Sequence, residues 1–173
     1  MRAAFRFMFG KVMMPLRVIL PRIPGYGFAH VCLMWFAQRG LHLSPTCKHV
    51  LSMRVSRNNR CSFCFDMHKA SFMLLEKPDL ATLELATRDP SDPTLEPQLR
   101  ALLAYADEVV QQGNVSDATF AALQRSFNEK EVVEIVWLAA FVMYTNMLAR
   151  PLRLQSDGFC AIVSARADQT VKA

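Results

Sequence analysis

The chain has 173 residues, of which 52% are hydrophobic and 20% charged, with a formal net charge of +5. This is enough for one domain with a substantial core, and the balance excludes an intrinsically disordered chain. The basic residues form no coherent stripe interleaved with aromatic or amide readers, so no nucleic-acid partner is expected.

The first twenty residues, MRAAFRFMFGKVMMPLRVIL, are basic and apolar like a leader, yet Arg6, Lys11 and Arg17 interrupt every apolar run. No small-residue cleavage site follows. The longest apolar run elsewhere, Ile135–Met143, is far short of a membrane span. A soluble cytoplasmic protein with no integral membrane segment is expected, its extreme N-terminus free to pack on a partner or a membrane surface. Five cysteines, an odd number without an export signal, argue against a structural disulfide framework. Cys32 sits in an apolar run and reads as core, and Cys47 and Cys160 have no motif around them.

Helix formers dominate and no hairpin-type alternation is visible, so an all-α fold of about seven or eight helices is expected. Pro15, Pro21, Pro24 and Gly25 divide residues 1–40 into a short helix, a bend and a second helix near Tyr26–Arg39, which Gly40 ends. These forty residues read as an extension packing on a helical domain that spans 41–166, followed by a frayed tail at 167–173. Ser44-Pro45 is a helix start, and that helix runs to about Arg57, turning Val50, Met53 and His49 inward.

Asn58-Asn59 interrupts it and caps the next helix, which ends at Lys77-Pro78. A short helix at Asp79–Thr87, a proline-rich loop and an amphipathic helix at Leu95–Gln112 follow, the last ended by Gly113. Ser116 begins another helix. Asn128-Glu129-Lys130-Glu131 is a capping box opening a helix apolar almost all round, which implies burial at a domain centre or a subunit interface. Pro151 terminates it.

The stretch Arg60–Lys69, RCSFCFDMHK, carries the chemistry. At about 3.6 residues per turn, Cys61, Cys64 and His68 line one helix face, with Cys61 in the first turn where free N–H groups and the dipole favour a thiolate. A nucleophile, a base one turn along and a second thiol are what a reactive thiol needs. Two other readings stay open. Cys61, Cys64 and His68 with His49 make a Cys₂His₂ zinc set, and all of them also fit a packed core. Arg54, Arg57 and Arg60 just upstream read as a solvated face rather than the mouth of a site.

The run HVLSMRVSRNNRCSFCFDMHKA resembles the core of the carboxymuconolactone decarboxylase family, in particular its alkylhydroperoxidase AhpD branch with a CxxCxxxH motif. The downstream run LLAYADEVVQQGNVSDATFAALQRSFNEKEVVEIVWLAAFVMYTNMLARPL follows the same family's pattern, so the resemblance covers about Ser44 to Leu154. It implies an all-α homo-oligomer, a trimer or multiple of trimers or a dimer. It also implies a thiol-dependent peroxidase that needs no cofactor beyond a redox-active Cys61–Cys64 disulfide.

By position, Cys64 attacks the hydroperoxide, Cys61 resolves the sulfenic acid and His68 serves the proton relay. A dithiol reductant, lipoyl-bearing or thioredoxin-like, restores the pair. The branch usually begins its relay with a glutamate twelve residues before the first cysteine, where this chain has His49. A pocket lined by Phe63, Phe65 and Met53 is expected to admit the substrate. The alternative is a non-catalytic helical oligomer that uses Cys61, Cys64, His68 and His49 for redox sensing or zinc binding.

Overall fold

The structure is a computed structural model that describes residues 14–171. The basic segment holding Arg2, Arg6 and Lys11, the start of the expected first helix and the last two residues of the tail lie outside the described residues.

Among the described residues all regular structure is helical, with no strand. The order is α1 (Met14–Val18), α2 (Pro24–Arg39), α3 (Pro45–Asn58), α4 (Ser62–Leu75) and α5 (Leu80–Glu84), the last continued by a 3₁₀ turn at Leu85–Thr87. Then come α6 (Pro97–Gln112), α7 (Asp117–Ser126), α8 (Glu129–Ala149) and α9 (Phe159–Val171). The expected all-α architecture is the one observed.

Local signals start these helices. Ser44 Oγ accepts the N–H of Cys47 at 3.1 Å, and Ser116 Oγ that of Thr119 at 3.3 Å. At the head of α8, Asn128 Oδ1 accepts from Glu131 N, and Glu131 Oε2 accepts from Asn128 N, both at 3.0 Å. Such caps each contribute about 1 kcal/mol. Gly113 closes α6 at φ +70, a left-handed turn that glycine takes without a Cβ clash. Gly40 ends α2 differently, at φ −86. A Cβ there would come within 2.3 Å of the Phe36 ring, so close approach rather than handedness demands this glycine.

Helix α3 is the axis of the fold, packed against α4, α6 and α8. Every residue from His49 to Ser56 is buried. Val50, Leu51 and Met53 meet Phe72 of α4, Leu102 and Leu103 of α6, and Ile135 of α8 in the main core. A second, smaller cluster gathers Cys61, Phe63 and Cys64 under Leu154, Phe159 and Val163. The cysteine pair therefore sits beneath the C-terminal helix rather than in the main core.

Two buried charges are held by hydrogen-bonded partners. Arg54 is only 8% exposed. Its Nε and Nη2 meet the two carboxylate oxygens of Asp107 at 2.5 Å each, and its Nη1 reaches the carbonyls of Ala86 and Arg88. Arg54 thus does not belong to a solvated face, and only Arg57 and Arg60 of the three stay exposed. Glu134, inside α8, accepts the N–H groups of His42 (2.7 Å) and Leu43 (2.9 Å). Burial opposes its charge, but these bonds and the His42 side chain hold its carboxyl below the usual range.

Other departures have physical reasons. The helix expected from Leu95 begins at Pro97, because proline fits the first turn, where its missing N–H has no partner to lose. Helix α9 extends past Arg166 to Val171, through a run with no proline or glycine. Helix α8, at 21 residues and a mean hydropathy of 1.7, is long and apolar enough to cross a membrane, because it continues well beyond the uninterrupted apolar run Ile135–Met143. Half of its most apolar stretch is buried inside the protein, the packing of a core helix. Its other face exposes Val133, Val136, Tyr144 and Met147. Cys32 is exposed, not core, because α2 is apolar all round but packs on α8 from one side, with Phe36 edge-on to Trp137 at 4.9 Å.

Candidate redox site

The cysteine motif is placed by the turn that joins α3 to α4. The N–H of Arg60 bonds to the Arg57 carbonyl, and that of Cys61 bonds to the Ser56 carbonyl, both at 2.9 Å. This is the Schellman pattern, which needs a left-handed residue where Arg60 stands. Arg60 takes it, at φ +54. The motif's first cysteine is at once the last residue of that turn and the N-cap of α4. Asn58-Asn59, expected to cap α4, instead closes α3, with Asn59 as its C-cap.

Cys61 and Cys64 form a disulfide, their Cα atoms 5.3 Å apart, and Cys61 Sγ also accepts the N–H of Cys64 at 3.4 Å. In this oxidised form neither sulfur has a proton to share, and His68 makes no hydrogen bond to either among the described residues. Both cysteines are buried, at 3% and 5% exposure.

The two histidines come together from different helices. His49 of α3 is 3% exposed and stacks on Phe72 of α4, the ring centroids 4.6 Å apart and the planes inclined by 15°. Burial, with a smaller contribution from Lys48, lowers its pKa to about 4. His68 is lowered to about 3, mainly by burial and then by the field of His49. Both imidazoles are therefore neutral at pH 7. A neutral His68 can accept a proton from a thiol, but it does not stabilise a resting thiolate by its own charge.

The four residues of the alternative zinc set are not gathered as a metal site. Among the described residues no group of three or more His, Cys, Asp or Glu side chains is arranged to hold a metal ion. The expected pocket is not formed either. Met53 is fully buried in the main core with Phe65 packed against it, while Phe63 lies in the cysteine cluster. Two residues apart on a helix point about 200° away from each other, so Phe63 and Phe65 cannot share a wall.

Three features near the pair escaped the sequence reading. Asp66, between Cys64 and His68, accepts backbone N–H groups from the start of α9. Asn146 of α8, fully buried, accepts the Ser56 hydroxyl at 3.4 Å, and Ser56 is the residue whose carbonyl holds Cys61. Among the described residues the Asn146 amide nitrogen has no hydrogen-bond partner. A cleft of about 550 Å³, lined by Arg54, Arg57, Arg60, Arg88 and Asp107 among others, opens beside the turn. The arginine spacing hinted at the cleft, whereas nothing local marked Asp66 or Asn146.

Neither a protein-family model nor a curated protein sequence matches the chain. Solved structures do. One is a protein of unknown function from Agrobacterium tumefaciens, described as a candidate antioxidant defence protein AhpD. It superposes with a TM-score of 0.72 at 25% identity, covering 80% of this chain and 95% of that one. Another is an uncharacterised peroxidase-related protein from Silicibacter sp. TM1040, with a TM-score of 0.74 at 19% identity over 89% of this chain and 81% of that one. The chain is similar to both in fold, and that AhpD-like helical fold agrees with the resemblance carried by its motif.

Proposed function

We propose that the chain is a thiol-dependent peroxidase of the AhpD type. The observation that carries this reading is the Cys61–Cys64 disulfide at the head of α4, with His68 one turn beyond Cys64. In the reduced protein, His68 accepts the Cys64 proton as the sulfur attacks one peroxide oxygen. The O–O bond breaks, leaving Cys64 as a sulfenic acid and the other oxygen as an alcohol once it takes up the proton. The Cys61 thiol then displaces water from the sulfenic acid and closes the disulfide. A dithiol donor returns two electrons through a mixed disulfide. His49 serves as the outer member of the proton relay.

Burial of both sulfurs favours a second reading, a redox sensor that cycles slowly without turnover. Steady-state assays with a hydroperoxide and a dithiol separate the two. The peroxidase reading expects continuous turnover that Cys64→Ser abolishes. A single stoichiometric oxidation without turnover supports the sensor, and undiminished activity in Cys64→Ser rules out the assigned nucleophile.

A further inference from the structure

The C-terminal helix packs on α4 and joins the apolar cluster that holds the redox pair, together with Met14 and Val18 of α1. Phe159 and Val163 of α9, with Leu154 before it, complete the apolar cluster around Cys61, Phe63 and Cys64. Phe159 itself has no exposed surface.

This helix is fixed at its head by one side chain of α4. Asp66 Oδ2 accepts the N–H of Phe159 at 2.8 Å, and Oδ1 that of Cys160 at 3.1 Å. The Cys160 thiol donates to the Asp66 carbonyl at 3.3 Å. Phe159 and Cys160 are the first two residues of α9, whose N–H groups have no partner in their own helix. A carboxylate there satisfies them and meets the positive end of the helix dipole. Burial opposes the charge on Asp66, but the bonds from Cys160, Phe159 and Ser156 keep its carboxyl below the usual range.

The joint before α9 lies at the surface, where the Gly158 N–H bonds to Ser156 Oγ at 3.1 Å. Gln155 and Ser156 are exposed, and Gly158 stands at φ +72 with open space about its Cα. A second tie joins the Met14 N–H to Asp157 at 3.0 Å. The carboxylate that fastens the helix lies two residues from Cys64, on the helix that carries the pair.

We propose that α9 is a hinged cover over the Cys61–Cys64 disulfide, latched by the Asp66 carboxylate and swinging about Gly158, and that a dithiol reaches the sulfurs only when it is unlatched. The inference rests on the redox reading of the pair but not on peroxide turnover. Asp66 is a positioning residue here, acting on access and not on the reacting atoms.

The test uses the full oxidised chain and excess dithiothreitol. The reductant's thiolate attacks one sulfur, its second thiol releases the mixed disulfide, and alkylation with peptide mass analysis counts free Cys61 and Cys64. Asp66→Asn is expected to speed reduction by about tenfold, the scale set by weakening a charge-assisted bond in a local opening. Gly158→Ala is expected to act in the same direction, because a Cβ at φ +72 strains the latched turn and not the open one. Amide exchange at Phe159 and Cys160 accelerates in parallel, while α3 and α8 stay protected. Should Asp66→Asn unfold α3 and α8 as well, Gly158→Ala decides alone.

The proposal is overturned if amide protection at Phe159 and Cys160 falls while the pair is reduced at the wild-type rate, or if neither quantity changes. Wild-type reduction as fast as in the urea-unfolded chain would overturn it too. No peroxide is present, so a failed result leaves the peroxidase reading intact, and a chain inert to hydroperoxide can still show the gating.

Discussion

His49 lies flat against Phe72, ring centroids 4.6 Å apart, and its field acts on His68. A histidine held neutral in this way makes stability depend on pH. In the unfolded chain it takes up a proton near 6.5, whereas in the folded protein His49 does so only near 4. The unfolded state therefore binds more protons between these values, and stability falls as pH drops through that window. The contribution is complete above about 6.5 and, for His49, amounts to about 3 kcal/mol. Urea unfolding across this range should show the slope, and His49→Phe should remove most of it.

Replacing His49 by glutamate should reverse the sign of its effect on His68. A carboxylate at that place favours the imidazolium, so the His68 pKa rises and the Cys64 thiolate gains a cationic neighbour. NMR titration of His68 and ultraviolet titration of the reduced thiols should both register the change. The buried carboxylate lowers stability at the same time.

His68→Ala should slow the chemical step by about a hundredfold or more while leaving the fold intact, the usual consequence of losing a positioned base. Single-turnover oxidation of the reduced pair by hydroperoxide, followed at several pH values, measures this. The loss should shrink at alkaline pH, where the thiol ionises without help.

Asp107→Ala should destabilise the chain by about 3 kcal/mol, because it strands the buried Arg54 with only carbonyl partners. Asp107 also accepts from Asn58 at 2.6 Å, so the end of α3 loosens with it. Denaturant midpoints report the loss.

Arg60→Gly should stabilise by about 0.5–1 kcal/mol, since φ +54 is costly for a residue with a Cβ. Arg60→Val should do the opposite. Thermal unfolding of the three proteins checks the order.

These cases also mark what could be read from the chain. The caps at Ser44, Ser116 and Asn128, and the end at Gly113, were legible because each helix end is decided within four residues. The turn at Arg60 was not, because glycine is the usual marker of a left-handed residue and arginine gives no warning. The expected pocket failed on periodicity that was available, as Phe63 and Phe65 face opposite ways. The Arg54–Asp107 pair and the Asp66 clasp on α9 join residues far apart in sequence, and no local pattern specifies such partners.

The proposed function makes Cys64 the residue that meets peroxide. Fully reduced protein given one equivalent of hydroperoxide per chain should form the Cys61–Cys64 disulfide, and Cys61→Ser should instead trap a sulfenic acid on Cys64, both read by peptide mass analysis. Oxidation that falls first on Cys32, Cys47 or Cys160, or that proceeds unchanged in Cys64→Ser, would contradict it.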